Sequence, residues 1–144
     1  MFRPQNVSVN TTRKVGLILA AVATSLWAVI VVAYLTTAPE EGVNIGAALL
    51  GLLAVPLSIA ASVTLLASMG SAARRGILET HPLARRIAAV LAVASAACLA
   101  GSLVLGPMVD TDRLAVTAGL VLGAGIATFV ASSALFALPR HRKG

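Results

Sequence analysis

Two serines, Ser58 and Ser62, lie one helical turn apart within a long apolar stretch. A serine hydroxyl becomes a nucleophile when a neighbouring base removes its proton. Both histidines, His81 and His141, lie in charged segments outside the apolar stretches. A hydroxyl without a base usually donates to a carbonyl three or four residues back or to a neighbouring helix. These serines are therefore predicted to stabilise helices, and no catalytic residue is assigned.

Asp110 and Asp112 could offer oxygen atoms to a cation, but a calcium or magnesium site needs about six such ligands. Helix N-capping needs only one carboxylate, so the pair is interpreted as the cap of the apolar helix that follows. Glu79 beside His81 supplies too few ligands for zinc. The sequence predicts neither a metal nor a cofactor, and the lone Cys98 is expected to be inert.

The composition excludes a soluble domain, a disordered chain and a disulfide scaffold. Of the 144 residues, 58% are hydrophobic and only 11% are charged, with a mean hydropathy of +0.95. A β-barrel is disfavoured because the apolar stretches do not alternate with polar residues. The predicted fold is an all-α polytopic integral membrane protein, with four transmembrane helices forming two helical hairpins in a small antiparallel bundle. The predicted spans are about Val15–Ala38, Val43–Gly70, Ile87–Gly106 and Leu114–Leu138.

The charged residues are sorted between the two ends of these spans. Basic residues fill the N-terminal tail 1–14, the loop Ser71–Arg86 and the C-terminal tail 139–144, whereas the other two connections carry most of the acids. The positive-inside rule then places both termini in the cytoplasm. The excess of Arg over Lys and the abundance of Ala suggest a bacterial protein, so the predicted location is the plasma (inner) membrane. Pro39 and Pro107 are predicted to end the first and third helices.

The net charge of +6 does not indicate nucleic acid, since no segment outside the spans is long enough to fold into a groove-reading surface. Cations at the mouths of transmembrane helices attract anionic lipid headgroups instead. The candidates for this contact are Arg74, Arg75, Arg85 and Arg86.

Small residues recur at every fourth position in the last two spans. Such rows let two helix backbones approach closely, which matters because lipid supplies no hydrophobic drive between helices. The rows fit either packing of the third span on the fourth within one chain, or a face for another transmembrane helix in a hetero-complex or homo-oligomer. The candidate packing residues are Ala88, Ala92, Ala96 and Ala100 in the third span, and Ala115, Gly119, Gly123, Ala127 and Ala131 in the fourth.

Pro56 lies near the middle of the second span and is predicted to kink it, with Ser58 or a neighbouring helix bonding the freed carbonyl. The kink either adjusts the shape of the helix or lines a cavity. Trp27 falls in mid-span, where it packs on alanine-rich faces or touches lipid or a partner. Tyr34 and Phe136 are expected in the interfacial aromatic belts.

Three functions fit this pattern. The leading hypothesis is a non-enzymatic structural or accessory subunit that packs through its small-residue faces, because no ionisable residue lies within the spans. One alternative is a holin-like protein that permeabilises the membrane. The other alternative is a carrier of a lipid or another apolar substrate, for which the Pro56 kink is the local support.

Overall fold

The computed structural model describes residues 4–38, 45–74, 76, 82–105 and 112–138, with only the backbone given for 4–9. These residues form four α-helices and no strand, which confirms the predicted all-α, four-helix fold. Each helix contains a segment long and apolar enough to cross a membrane. The helices are α1 (Pro4–Thr36), α2 (Ile45–Arg74), α3 (Pro82–Leu105) and α4 (Asp112–Ala137).

The helices at the basic side extend beyond the predicted spans. Helix α1 begins at Pro4, well before Val15, and both α2 and α3 continue into the predicted loop Ser71–Arg86. Hydropathy marks only the hydrocarbon depth. The added turns of α2 and α3 contain Ala, Leu and Arg, which are good helix formers, whereas the added residues of α1 are mostly Asn, Ser, Val and Thr. Proline is well suited to the first turn, where its missing N–H is not needed, and both α1 and α3 begin with one.

At the opposite side the helix ends lie close to the predictions. Helix α1 ends at Thr36 and α3 at Leu105, while α4 begins at Asp112, one of the predicted capping residues. Pro39, Pro107 and Asp110 lie outside the described residues. Residues 39–44 and 106–111, which connect the helices of the two predicted hairpins, lie there as well, so the hairpins stay a prediction.

A glycine follows the end of α2. Gly76 has a φ of +64°, a conformation that side chains with a Cβ rarely adopt, and its N–H donates to the carbonyl of Ala73 at 3.2 Å. This geometry stops α2 shortly after Arg74.

Helix α1 packs mainly against α2, and the two run antiparallel. Gly16, near the start of α1, lies against Leu65 in the second half of α2, whereas Trp27 lies against Ser58, which precedes Leu65. Helices α3 and α4 form the other extensive contact, and α2 joins the two pairs by packing on α3.

Buried residues follow a spacing of three and four along α1, α3 and α4. This heptad spacing is characteristic of helices that wrap around one another at a shallow angle. Most of the buried positions are Ala, Gly or Ser, so the backbones can approach closely. The buried series are Gly16, Ala20, Ala23, Trp27 and Ile30 in α1; Arg85, Ala88, Ala92, Ser95 and Leu99 in α3; and Gly125, Phe129, Ser132 and Phe136 in α4.

Many of the bulky aliphatic side chains point outward. Leu35 is 81% exposed, and Val90 and Leu120 are each 70% exposed. A surface of this kind suits lipid, which solvates Leu and Val as well as a protein interior does. The fold therefore presents many of its Leu, Val and Ile side chains to its surroundings.

Candidate functional site

Two arginines from different helices converge on the C-terminus of α4. Arg13 of α1 donates through one terminal nitrogen to the carbonyl oxygens of Phe136 and Leu138, each at 2.8 Å. Arg85 of α3 donates to the same two oxygens, both at 3.2 Å. The last carbonyls of a helix lack partners within the helix and carry its negative dipole end. The two guanidinium groups, one from α1 and one from α3, therefore cap α4, and this set of groups is called the arginine cap below.

Arg85 lies in the interior, at 4% exposure, with its guanidinium carbon 5.6 Å from the centre of the Phe136 ring. It is the first residue of the buried series in α3, three residues before Ala88. Arg13 stands in the same relation to Gly16 in α1, and it is half-buried. Both arginines were predicted from the sequence to lie outside the spans as orientation signals, and Arg85 also to contact lipid headgroups. Extending the heptad spacing by three residues toward the N-terminus of each helix would have placed both arginines in the buried series.

Among the four arginines predicted to contact lipid headgroups, Arg85 is corrected to an internal role because its guanidinium binds carbonyls of α4 and is buried. Arg74 and Arg86 are exposed and remain candidates for lipid contact. Arg75 lies outside the described residues. Phe136 is also corrected, because it is buried beneath Arg85 and does not belong to an interfacial belt. Tyr34 is 58% exposed, as a belt residue would be.

The end of the bundle that holds the arginine cap is called the basic end. Lys14 and Arg86 each follow a capping arginine by one residue and are exposed, and Arg74 ends α2 at the same end. Within the described ranges the one carboxylate is that of Asp112, which begins α4 at the opposite end. Positive charge is thus concentrated around the C-terminus of α4.

A second polar contact lies in the middle of the bundle. The indole N–H of Trp27, which is 3% exposed, donates to the hydroxyl oxygen of Ser58 at 3.0 Å. Ser58 in turn donates to the carbonyl of Ala54 at 2.7 Å. The packing interpretation of Trp27 is confirmed. The carbonyl that Pro56 frees belongs to Leu52, so Ser58 does not bond it as expected.

The other intramembrane hydroxyls mostly bond within their own helices, as predicted. Ser68 and Ser95 donate to carbonyls three residues back, and Thr64 to one four residues back. Ser132 instead joins two helices, donating to the carbonyl of Ala88 at 2.9 Å. Ser133 has a buried hydroxyl oxygen with no hydrogen-bond partner among the described residues.

The two small-residue rows have different surroundings. In α3, Ala88 and Ala92 are fully buried, Ala96 is partly buried and Ala100 is exposed, so half of that row packs inside the chain. In α4 every member of the row is exposed. These exposed residues are Ala115, Gly119, Gly123, Ala127 and Ala131, called the α4 small face below.

A glycine outside the predicted row makes the close approach between α3 and α4. A Cβ built on Gly125 would lie 3.1 Å from Cβ of Cys98 and 3.2 Å from Cδ2 of Leu99. A Cβ on Gly119 or Gly123 would meet nothing within 4 Å. The α4 small face is therefore not the surface on which α3 packs, which removes the intramolecular arrangement for that row.

Pro56 is exposed and lies on the outside of α2, between the buried residues Val55 and Ser58. Helix α2 is continuous through it, from Ile45 to Arg74. The proline ring thus faces away from the neighbouring helices, a position that suits shape adjustment better than the lining of an internal cavity.

Comparison of the chain with protein-family models, with curated proteins and with solved structures gave no match. The function of this membrane-spanning four-helix chain is therefore inferred from its own geometry.

Proposed function

We propose that this chain is a non-enzymatic membrane subunit that binds another transmembrane helix through the α4 small face. One observation carries the proposal: a row of five small residues along α4 is exposed, although the chain buries small residues wherever its own helices meet. Backbone approach over such rows is how helices associate in lipid, where van der Waals contact replaces the hydrophobic effect.

The residues beside the α4 small face support this function. Val116 and Leu120 each follow a member of the row by one position and are 64% and 70% exposed. They form a ridge next to a groove of small residues, which is the surface shape that ridges-into-grooves packing requires. A partner helix of similar shape would seat its own ridge in this groove, so a homo-oligomer and a hetero-complex both fit.

The test is purification of the full chain in a mild detergent, followed by measurement of the mass of the protein component and identification of any co-purifying protein. The variant Gly119→Leu/Gly123→Leu fills the groove. Its matched control is Gly70→Leu/Gly101→Leu, because a Cβ at either of those glycines also meets nothing within 4 Å. The expected result is loss of the partner chain only in the first variant. Unchanged assembly of that variant would overturn the proposal.

Two further measurements, of the membrane potential during expression and of any ligand bound to the purified chain, separate the alternatives. A holin-like protein would dissipate the membrane potential when expressed, whereas an accessory subunit would leave it intact. A carrier of apolar molecules would retain a bound lipid or other apolar ligand without depending on Gly119 and Gly123.

We also propose that the basic end faces the cytoplasm and that the membrane is a bacterial plasma (inner) membrane. The support is the number of Lys and Arg residues in short segments beside the basic end, compared with the single Arg113 at the other end. Fusions of a periplasm-active and a cytoplasm-active reporter to the C-terminus test the orientation. Activity of the periplasmic reporter would overturn it.

A further inference from the structure

Helix α4 carries a second series of residues at the spacing of three and four that marks the helix contacts within this chain. The first series begins at Gly125 and is buried. The second, called the outer series below, is displaced around the helix, and all its members are exposed except Ile126, which is partly buried. Its members are Asp112, Val116, Gly119, Gly123, Ile126 and Val130. Helices associate through series of this spacing, so among the described residues α4 has one contact surface that is filled and one that is not.

The middle of the outer series is shaped for close approach. A Cβ on Gly119 or Gly123 would meet nothing within 4 Å, so the backbone of a further helix has room there. Val116 and Val130 border this gap at 64% and 40% exposure. Small residues four apart, flanked by apolar side chains, are the pattern of paired transmembrane helices.

The charges that begin α4 complement one another across such a pair. Asp112 opens the outer series and Arg113 follows it by one residue, and both are exposed. The other charged residues in the described ranges lie at the basic end. In two parallel helices with heptad spacing, the residue after a contact position borders the same contact position of the partner. Asp112 of each helix would then lie beside Arg113 of the other, which offsets the repulsion between the two carboxylates.

A second copy of the chain supplies this complementary surface. The same basic segments direct the insertion of every copy, so the α4 helices of two copies run parallel in the membrane. A two-fold contact uses the same patch on both partners and closes at two chains. Such a contact is favourable when the patch carries both a carboxylate and a cation, as the start of α4 does.

We propose that the partner of the α4 small face is a second copy of this chain, packed α4 against α4 in parallel about a two-fold axis. Two ion pairs join the copies, each between Asp112 of one copy and Arg113 of the other. This inference rests on the proposed function and names its partner.

Disulfide cross-linking in membranes tests the geometry before any detergent is added. The one cysteine, Cys98, is first replaced with Ala. Val116→Cys is then expected to cross-link to itself, because a parallel two-fold pair brings each residue of the outer series to its own counterpart. Thr117→Cys is the matched control, since Thr117 is also exposed but lies about 100° further around the helix. Cross-linking of neither variant, or equal cross-linking of both, would overturn the parallel pair.

Charge reversal tests the ion pairs. Asp112→Arg or Arg113→Asp alone places like charges together, and each should raise the dissociation constant of the dimer about tenfold. Energy transfer between labelled chains in liposomes measures this constant. The exchange Asp112→Arg/Arg113→Asp restores both pairs and should recover most of the affinity. Affinity that stays as low as in the single variants would overturn the ion pairs.

The inference and the proposed function fail in different ways. The mass of the purified chain is expected to be that of two copies, and Gly119→Leu/Gly123→Leu should reduce it to that of one. A different protein released by this variant would overturn the second copy and leave the proposed function standing. A wild-type chain without any companion, or a dimer that survives this variant, would overturn both.

Discussion

Trp27 and Ser58 are joined across the middle of the bundle by a hydrogen bond of 3.0 Å from the indole nitrogen to the hydroxyl oxygen. Both residues are buried, Trp27 at 3% exposure and Ser58 at 0%. No water is available at that depth to replace a lost partner. The bond therefore fixes the register of α1 against α2 where the contact is otherwise apolar.

Replacing Ser58 with Ala is expected to lower the free energy of unfolding by about 1 kcal/mol, because the Trp27 indole N–H then lacks an acceptor. Thr64→Ala is the control, since the Thr64 hydroxyl bonds only to the carbonyl of Ala60 in its own helix. Unfolding by SDS in mixed micelles, followed by circular dichroism, measures these variants. In the double variant Trp27→Phe/Ser58→Ala the two losses should not add. Additive losses would show that the bond does not stabilise the bundle.

Replacing Arg85 with Leu is expected to lower the free energy of unfolding by about 2 kcal/mol more than replacing Arg86 with Leu. Arg85 binds two carbonyls of α4 and lies over Phe136, whereas Arg86 is exposed on the same turn of α3. Hydrogen exchange at the C-terminal turn of α4 should rise in the first variant only. Equal stability of the two variants would contradict the capping role.

Gly125→Ala is expected to destabilise the chain by about 1 kcal/mol or more, because the new methyl group presses on Cys98 and Leu99 and pushes α3 from α4. Gly123→Ala is the matched control two residues earlier. Its new methyl group meets no atom within 4 Å, and alanine has a higher helix propensity than glycine, so this variant should be neutral or slightly stabilising. Thermal unfolding in detergent measures the difference between the two. If Gly123→Ala were the less stable of the two variants, the α3–α4 contact would lie on another face of α4.

Pro56→Ala is expected to raise the free energy of unfolding by about 1 kcal/mol, the net value of one restored backbone bond to Leu52. The outward position of the ring means that no helix contact is lost. Val55→Ala, at a buried neighbouring position, should lower stability instead. Pro56→Ala that folds normally but loses assembly or ligand retention would show that the kink itself has a function.

The number of helices and their rough positions were predictable because hydrocarbon thickness sets the length of an apolar stretch. The helix ends at the basic side were not predictable. Hydropathy does not indicate where a helix begins or ends outside the hydrocarbon, as α1 begins at Pro4 and α2 ends at Arg74. Charge counting also gave Arg13 and Arg85 the same role as Lys14 and Arg86. Only the heptad spacing distinguishes an inward arginine from an outward one a residue later.

The exposed face of α4 was the least predictable feature. Small residues at every fourth position and the buried series from Gly125 to Phe136 are both plausible contact surfaces. In water the hydrophobic effect would favour burial of the face that carries Phe129 and Phe136. In lipid that preference disappears, and the choice depends on the fit of Gly125 against Leu99, which requires the three-dimensional structure.

The uneven burial of α4 has a mechanical consequence. Its buried residues all lie in the second half, from Gly125 onward, and the arginine cap fastens its last turn, whereas residues 112–124 are partly buried at most. The first half, about 20 Å long, is thus held by fewer buried contacts than the second. A tilt of about 10° about Gly125 would carry Asp112 sideways by roughly 3 Å without disturbing the anchored turn.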